Sequence, residues 1–148
     1  MRDFKVQDEN YEQRVRESFA RQKVMDFLGA EMTEVTPGAC EIRLPYHDGL
    51  SQQHGFFHGG IVGTIADSAA GYAALSLYPK GTGVLTTEFK LNLLNPGRGE
   101  RLVARGRVVK PGRTLTVCRG DVYGIEADRE THVATGLFSM ICLEGLDD

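Results

Sequence analysis

QQHGFFHGGIVGTIADSAAGYAALSLY, residues Gln52–Tyr78, joins a glycine-rich turn to a long apolar segment. From Ile61 to Leu77 the segment has no Lys, Arg or Glu, and its single carboxylate is Asp67. A helix that is apolar nearly all round is buried in its protein. The stretch therefore predicts a buried central helix that begins near His58 or Gly59 and runs to about Leu77.

Asp67 requires an explanation, because a buried and unpaired carboxylate either costs several kcal/mol or stays protonated. One explanation is structural: Ser68, Thr64 or backbone N–H groups would satisfy the carboxylate. The other is chemical, since a carboxylate inside an apolar helix is typical of a nucleophile or of a base that activates water.

The chain before this stretch predicts a helix and a hairpin. From Asp8 to Leu28, apolar residues recur close to the i, i+4 spacing of one amphipathic helix, which we expect to cover the domain and to stop at Gly29. Ala30–Thr36 and Ala39–Leu44 then predict two strands around the turn Pro37-Gly38. The polar loop that follows delivers the chain to the central helix.

The chain after the central helix predicts strands separated by Pro-Gly and Asn-Pro-Gly turns. Period-two alternation predicts strands over Thr82–Leu94, Arg101–Lys110, Thr114–Gly124 and Thr131–Leu143. One buried helix and a mostly antiparallel sheet with one freer face predict an α+β fold in which the sheet wraps the helix. We expect residues 1–148 to form a single domain.

The composition excludes several classes of protein. The chain has 148 residues, of which 41% are hydrophobic and 25% charged, and a net charge of -3, so no basic surface for nucleic acid is expected. Cys40, Cys118 and Cys142 lack metal-ligand spacing, as do the histidines, and no metal is expected. The apolar segment is too short and polar for a membrane span, and the chain start lacks an apolar leader, which together predict a cytoplasmic location.

Gly59 and Gly60 at the start of the helix would leave backbone N–H groups without intrahelical acceptors, in the positive field of the helix dipole. In acyl transfer, such donors aimed at an oxyanion supply about 3 to 4 kcal/mol each. The alternative is that the two glycines only permit a tight turn or close helix–sheet packing. With Asp67, the glycines favour a hydrolytic site.

The spacing of Gly59 and Asp67 has a consequence for assembly. Eight residues correspond to roughly 12 Å along a helix and about 80° around it. One helix therefore cannot easily bring both groups to one carbonyl. Two antiparallel copies of the helix across a two-fold axis would, which predicts an obligate dimer with two shared sites.

These residues carry a resemblance to a known family. The segment G-x-x-H-G-G with an acid nine residues after the histidine, formed by Gly55, His58, Gly59, Gly60 and Asp67, resembles the hotdog-fold acyl-CoA thioesterases of the PaaI-like, phenylacetate-pathway type. The segments FLGA, IADSAAGYAA, TTEFKLNLLNPG and KPGRT follow in matching order, so the resemblance covers most of the chain.

The resemblance implies an acyl-CoA thioesterase in which the Gly59 N–H polarises the thioester carbonyl. Asp67 of the partner subunit would attack the carbonyl carbon or activate water. Gln52 falls where relatives place an amide near the nucleophilic water, and Thr86 where a hydroxyl positions that water; a loop amide and an ordinary strand threonine are the alternatives. His58 would hold the turn and line the site rather than take a proton.

Coenzyme A carries phosphates, and two turns flanked by cations match where the family binds its nucleotide. Solvated hairpin turns with no ligand are the alternative. The candidate substrate-binding residues are Gly60 together with Asn95, Pro96, Gly97, Arg98, Lys110, Gly112, Arg113 and Thr114.

The sequence also allows two other functions. A hotdog hydratase or dehydratase acting on a hydroxyacyl thioester would need a D-x-x-x-x-H segment, which the chain lacks. A non-catalytic acyl-CoA binding protein would not need Asp67. For the acyl group itself, Phe56, Phe57, Tyr72 and Leu75 are candidate pocket residues or plain core. No cofactor is expected. The chain is expected to form a dimer or a dimer of dimers.

Overall fold

The computed structural model describes residues 3–146 and 148. The elements, in chain order, are α1 (Tyr11–Arg21), α2 (Lys23–Leu28), β1 (Glu31–Thr36), β2 (Ala39–Pro45), a short 3-10 turn (Asp48–Leu50), α3 (Gly59–Leu75), β3 (Thr82–Leu93), β4 (Arg101–Lys110), β5 (Leu115–Glu126) and β6 (Arg129–Glu144). The expected hairpin, central helix and four later strands are confirmed, with small differences at their ends.

The described strands form one antiparallel sheet in the order β1-β2-β4-β5-β6-β3. α3 lies along one face of this sheet, and all its residues from Ser68 to Leu75 are buried. Its backbone lies so close to the sheet that a Cβ on Gly106 would collide with the carbonyl of Ala69. Small residues on both surfaces thus let the sheet wrap the helix, as the expected α+β hotdog arrangement requires.

The expectation of one N-terminal helix from Asp8 to Leu28 is wrong, because the chain breaks at Gln22 into α1 and α2. Gln22 has extended backbone angles, φ -77° and ψ 95°. If α1 continued without a break, the helical spacing of three to four residues after Phe19 would place the polar Gln22 on the side that faces the core. The break shifts the phase of the apolar stripe and buries Met25 and Leu28, which are 0% and 4% exposed.

Arg14 of α1 anchors the C-terminal end of α3. Its guanidinium donates to the carbonyls of Leu75, Tyr78 and Pro79 at 3.1, 2.6 and 2.8 Å. Its Nε lies 3.2 Å from a carboxylate oxygen of Asp8 without the alignment of a hydrogen bond, so this contact is an ion pair, and both side chains are nearly buried. The cation therefore satisfies carbonyls that a helix end leaves open and lies at the negative end of the dipole.

β3 is an edge strand whose α3-facing side is incompletely covered. Leu93 reaches toward Gly59, and the Phe89 ring stacks on Phe138 with centroids 5.1 Å apart. Even so, Phe89 is 50% and Leu93 57% exposed. An unpaired edge with exposed apolar side chains is typical of a surface that another chain covers.

Candidate active site

The first residue of α3, Gly59, has a backbone N–H with no acceptor in the described part of the chain. The following N–H groups are engaged: Gly60 donates to His58 Nδ1 at 2.9 Å, and Ile61 and Val62 donate to the His58 carbonyl. His58 is therefore the N-cap of α3, and its Nδ1 is the acceptor. The structure separates the two candidate glycines, since only Gly59 offers a free donor.

Asp67 lies half-buried on the side of α3 that faces β3. Thr86 Oγ1 donates to Asp67 Oδ1 at 2.6 Å and lies 3.3 Å from the Met140 sulfur. Burial raises the pKa of Asp67 above its ordinary value of 3.8, and the hydrogen bond from Thr86 opposes that rise. Oδ2 has no donor among the described residues, so it can meet a proton, a water or a carbonyl carbon.

The neighbours of Asp67 on its own helix do not satisfy the carboxylate. Ser68 Oγ donates to Gln22 Oε1 at 3.2 Å, and Thr64 Oγ1 donates to the Gly60 carbonyl at 2.8 Å. The strand residue Thr86 provides the hydrogen bond instead. The arrangement thus differs from the purely structural alternative that the sequence allowed.

Gly59 and Asp67 lie on one continuous helix, so their separation of about 12 Å along the axis holds in the folded chain. A thioester carbonyl bound to the Gly59 N–H cannot also lie within bonding distance of the same chain's Asp67. Within one chain, the Gly59 N–H and the Asp67 carboxylate are therefore too far apart to meet at one carbonyl group.

Gln52 organises the loop that precedes α3. Its Oε1 accepts from the backbone N–H groups of His54 and Phe56 at 2.6 and 3.3 Å. Its Nε2 has no acceptor among the described residues. The side chain thus holds the turn through its oxygen and leaves an amide donor near the start of the helix.

The two candidate nucleotide-binding turns lie at opposite ends of β4. The first turn packs against the loop before α3: Phe57 N donates to the Gly97 carbonyl, and the Arg98 guanidinium lies 4.6 Å from the Phe56 ring centroid. The chain holds this turn further through Asn95, whose amide donates to the His132 carbonyl. Ten strand residues separate the turns, about 30 Å, so one chain does not bring them together.

The second turn exposes its cations. Lys110 and Arg113 are exposed, while Gly112 N donates to Thr116 Oγ1 and the Thr114 carbonyl accepts from Cys142 N. Cys142 pairs with Val84 at the start of β3, so this turn lies beside that end of the edge strand.

The apolar candidates for an acyl pocket lie mostly in the core. Phe57, Tyr72 and Leu75 are 3%, 6% and 0% exposed, and the half-buried Phe56 carries Arg98. These four residues therefore line no open acyl pocket within one chain.

The remaining histidines do not join the site. His47 Nε2 lies 3.3 Å from the Leu28 carbonyl, and His54 is an exposed loop residue. Among the described residues, no cluster of His, Cys, Asp and Glu could hold a metal ion. None of the described helices has the length and apolar character needed to cross a membrane.

Sequence reasoning missed Met140, whose sulfur contacts Thr86 beside the carboxylate. Its side chain is fully buried in β6 next to the Asp67–Thr86 pair. The alternation of Phe138, Met140 and Cys142 marks an inward-facing row, but it does not tell which strand lies opposite. Thr86 pairs with Met140 because β3 and β6 are neighbours in the sheet, and this strand order is set by the tertiary structure.

The single buried helix and the antiparallel sheet that wraps it define the hotdog class of α+β proteins. The sequence model of the Thioesterase superfamily matches residues 54–128, just over half of the chain. The chain belongs to this superfamily, and the protein is a thioester hydrolase.

Similar proteins agree with this assignment. A thioesterase family protein of Silicibacter pomeroyi is 51% identical, with a TM-score of 0.90 over 91% of this chain and 99% of its own. A Halobacterium salinarum protein named as a candidate esterase is 36% identical over 121 residues, which cover 76% of this chain and 80% of the relative. Escherichia coli PaaI, from the phenylacetic acid degradation operon, shares the fold at 18% identity and a TM-score of 0.82, over 95% and 98% of the two chains.

Proposed function

We propose that the protein hydrolyses acyl-CoA thioesters to a free acid and coenzyme A at sites shared between two subunits. The observation that carries this proposal is the unpaired N–H of Gly59, a donor at a helix N-terminus without an acceptor in the described chain. The half-buried Asp67, with one oxygen held by Thr86, supplies the second requirement, a fixed carboxylate.

In the proposed reaction, the Gly59 N–H donates to the thioester oxygen, and negative charge grows on that oxygen as the carbonyl carbon becomes tetrahedral. Asp67 of the partner subunit either bonds to the carbon or takes a proton from the water that does. The C–S bond then breaks, and coenzyme A leaves as a thiolate. If Asp67 bonds to the carbon, water cleaves the resulting anhydride and regenerates the carboxylate.

The edge strand supports the shared site. If β3 pairs antiparallel with β3 of a second copy, centred on Lys90, and the bulge at Thr87 takes up one residue, then Leu93 lies opposite Thr86 of the partner subunit. Since Leu93 contacts Gly59 and Thr86 contacts Asp67, this register brings the donor of one chain to the carboxylate of the other. It also covers the exposed Phe89 and Leu93.

The same register supports coenzyme A binding. The turn Asn95–Arg98 follows the end of β3, whereas the turn Lys110–Thr114 lies beside the start of β3. In an antiparallel pair of β3 strands, the first turn of one subunit approaches the second turn of its partner. Arg98, Lys110 and Arg113 then surround one phosphate-binding region.

Three residues keep supporting roles in this proposal. Thr86 orients Asp67 and the nucleophilic water, Gln52 presents its amide group to that water, and His58 fixes the first turn of α3 so that Gly59 points its N–H outward. The single-domain extent, the cytoplasmic location and association beyond the dimer stay predictions.

The test is a pair of variants, Gly59→Pro and Gly59→Ala, assayed by thiol release from a panel of acyl-CoAs. Proline removes the N–H but suits the first helical position, and His58 already has the extended angles that a residue before proline requires, φ -60° and ψ 137°. Alanine adds a Cβ against the mobile tip of Leu93 and keeps the N–H.

We expect Gly59→Pro to lower kcat about a hundredfold and Gly59→Ala to stay far closer to wild type. Equal activities of the two variants would contradict the role of the N–H. Enoyl-CoA hydration without thiol release would favour the hydratase alternative, and ligand binding without turnover would favour the binding protein.

A further inference from the structure

Two apolar side chains on α2 stand out in solvent. Phe27 is 84% and Val24 45% exposed, whereas Met25 and Leu28 are buried. Val24 and Phe27 are three residues apart, so they form one ridge next to the buried ridge of Met25 and Leu28. A single exposed apolar residue needs no explanation, but the position of this ridge does.

α2 runs antiparallel to the first half of α3. At its start, Gln22 Oε1 accepts from Ser68 Oγ at 3.2 Å. At its end, the Leu28 carbonyl lies 3.3 Å from His47 Nε2, in the loop whose Leu50 carbonyl accepts from His58 N. α2 therefore extends from the level of Ser68 toward the N-terminus of α3.

The handedness of the helices tells where the ridge points. Consider the view along α3 from Gly59, with the sheet below the helix. Asp67 then faces the edge of the sheet formed by β3. The helices α1 and α2 lie on the other side of α3, because α1 packs against β1 at the opposite edge of the sheet. Val24 and Phe27 each precede a buried residue, Met25 or Leu28, by one position. In a right-handed helix that runs antiparallel to α3, this one-residue step turns them about 100° toward the side of α3 that faces away from the sheet. Val24 and Phe27 are thus directed toward the side of α3 that carries the partly exposed Thr64.

We propose that Phe27 and Val24 form the contact surface for the acyl group and select apolar acyl chains longer than acetyl. This inference rests on the proposed function. A thioester whose oxygen meets the Gly59 N–H directs its sulfur toward the nucleotide turns, so its acyl group must leave along another part of the same opening. The ridge on α2 supplies an apolar wall there, across α3 from β3.

Chain length is the variable that tests the ridge. Thiol release would be measured for acetyl-, hexanoyl- and decanoyl-CoA with wild type, Phe27→Ala, Phe27→Leu and Leu137→Ala. Leu137→Ala is the matched control, since Leu137 is also exposed, at 56%, but lies on the sheet face away from α3. Thermal melting and light scattering would check the fold and the oligomeric state of each variant.

We expect Phe27→Ala to lower the ratio of decanoyl to acetyl kcat/KM about tenfold, mainly through KM, with Phe27→Leu restoring most of the ratio and Leu137→Ala leaving it unchanged. An unchanged ratio in Phe27→Ala would overturn the inference. So would an equal loss on all three substrates or a change of oligomeric state, which would assign the ridge to a second copy of the chain. A wild-type protein that releases thiol from none of the acyl-CoAs would instead contradict the proposed function, and the inference would fall with it.

Discussion

The two ends of α3 differ in how completely their polar groups are satisfied. At the C-terminal end, Arg14 binds three carbonyls, and Ser76 Oγ accepts from the Gly38 N–H at 2.8 Å and donates to the Ala73 carbonyl. At the N-terminal end, the Gly59 N–H has no acceptor in the described chain, and at the middle of the helix Asp67 keeps one oxygen without a donor among the described residues.

Under the proposed function, this difference separates stability from activity along one helix. The satisfied end fixes the position of α3 against the sheet and contributes to the free energy of unfolding. The half of the helix from Gly59 to Asp67 carries the cost of an open donor and of a half-buried carboxylate, the two groups to which the proposed function assigns the reaction. Substitutions at the two ends should therefore affect different measurements.

Asp67→Asn should give the largest effect on activity, a fall in kcat of about a thousandfold on acyl-CoA substrates. The melting temperature should stay the same or rise, because the substitution removes a carboxylate whose burial raises its pKa. Asp128→Asn, in the exposed turn after β5, is the matched control and should behave as wild type. Near wild-type thiol release by Asp67→Asn would contradict the assignment.

Arg14→Met should give the largest effect on stability, a loss of about 3 kcal/mol in the free energy of unfolding. It leaves Asp8 buried without its cation and three carbonyls without a donor. Arg16→Met, on the same helix but exposed and paired with Glu12, should cost less than about 0.5 kcal/mol. Urea titration measures both, and kcat of folded Arg14→Met should stay near wild type; equal costs for the two variants would remove the distinction between the ends.

Thr86→Val should lower kcat about tenfold, since it removes the hydrogen bond that holds Asp67. Thr87→Val, on the neighbouring residue whose hydroxyl donates to the Ser139 carbonyl, is the control and should have a much smaller effect. If both variants lose activity equally, the effect belongs to the strand and not to the Asp67 contact.

The pH profile should show the raised pKa of Asp67 directly. If the carboxylate is the active form, kcat/KM is high at neutral pH and falls as the pH decreases through a pKa above 3.8. Thr86→Val should move this acid limb to higher pH, because the lost hydrogen bond lowers the pKa in wild type. The stability contribution has the opposite sign: the folded state binds the Asp67 proton more tightly, so this group favours folding less as the pH rises through the same window. A limb at or below 3.8 would contradict the burial of Asp67.

The parts of the fold that the sequence predicted depend on local pattern. The alternation in Arg101–Lys110 and the apolar run after Gly59 determine a strand and a helix without knowledge of the partners. The break at Gln22 was not predicted, because it depends on what α2, the second half of the expected N-terminal helix, packs against. Likewise, Asp67 was recognisable as an anomaly, but its partner Thr86 and the sulfur of Met140 depend on the order of strands in the sheet.

Subunit mixing tests the shared site most directly. Gly59→Pro and Asp67→Asn, each nearly inactive alone, would be mixed and allowed to exchange subunits, with thiol release measured over time. If the site joins Gly59 of one chain to Asp67 of the partner subunit, each mixed dimer holds one intact site, and activity should recover to about a quarter of wild type, because about half of the dimers are mixed. No recovery, with exchange confirmed by mass-tagged subunits, would contradict the account and assign both groups to a site within one chain.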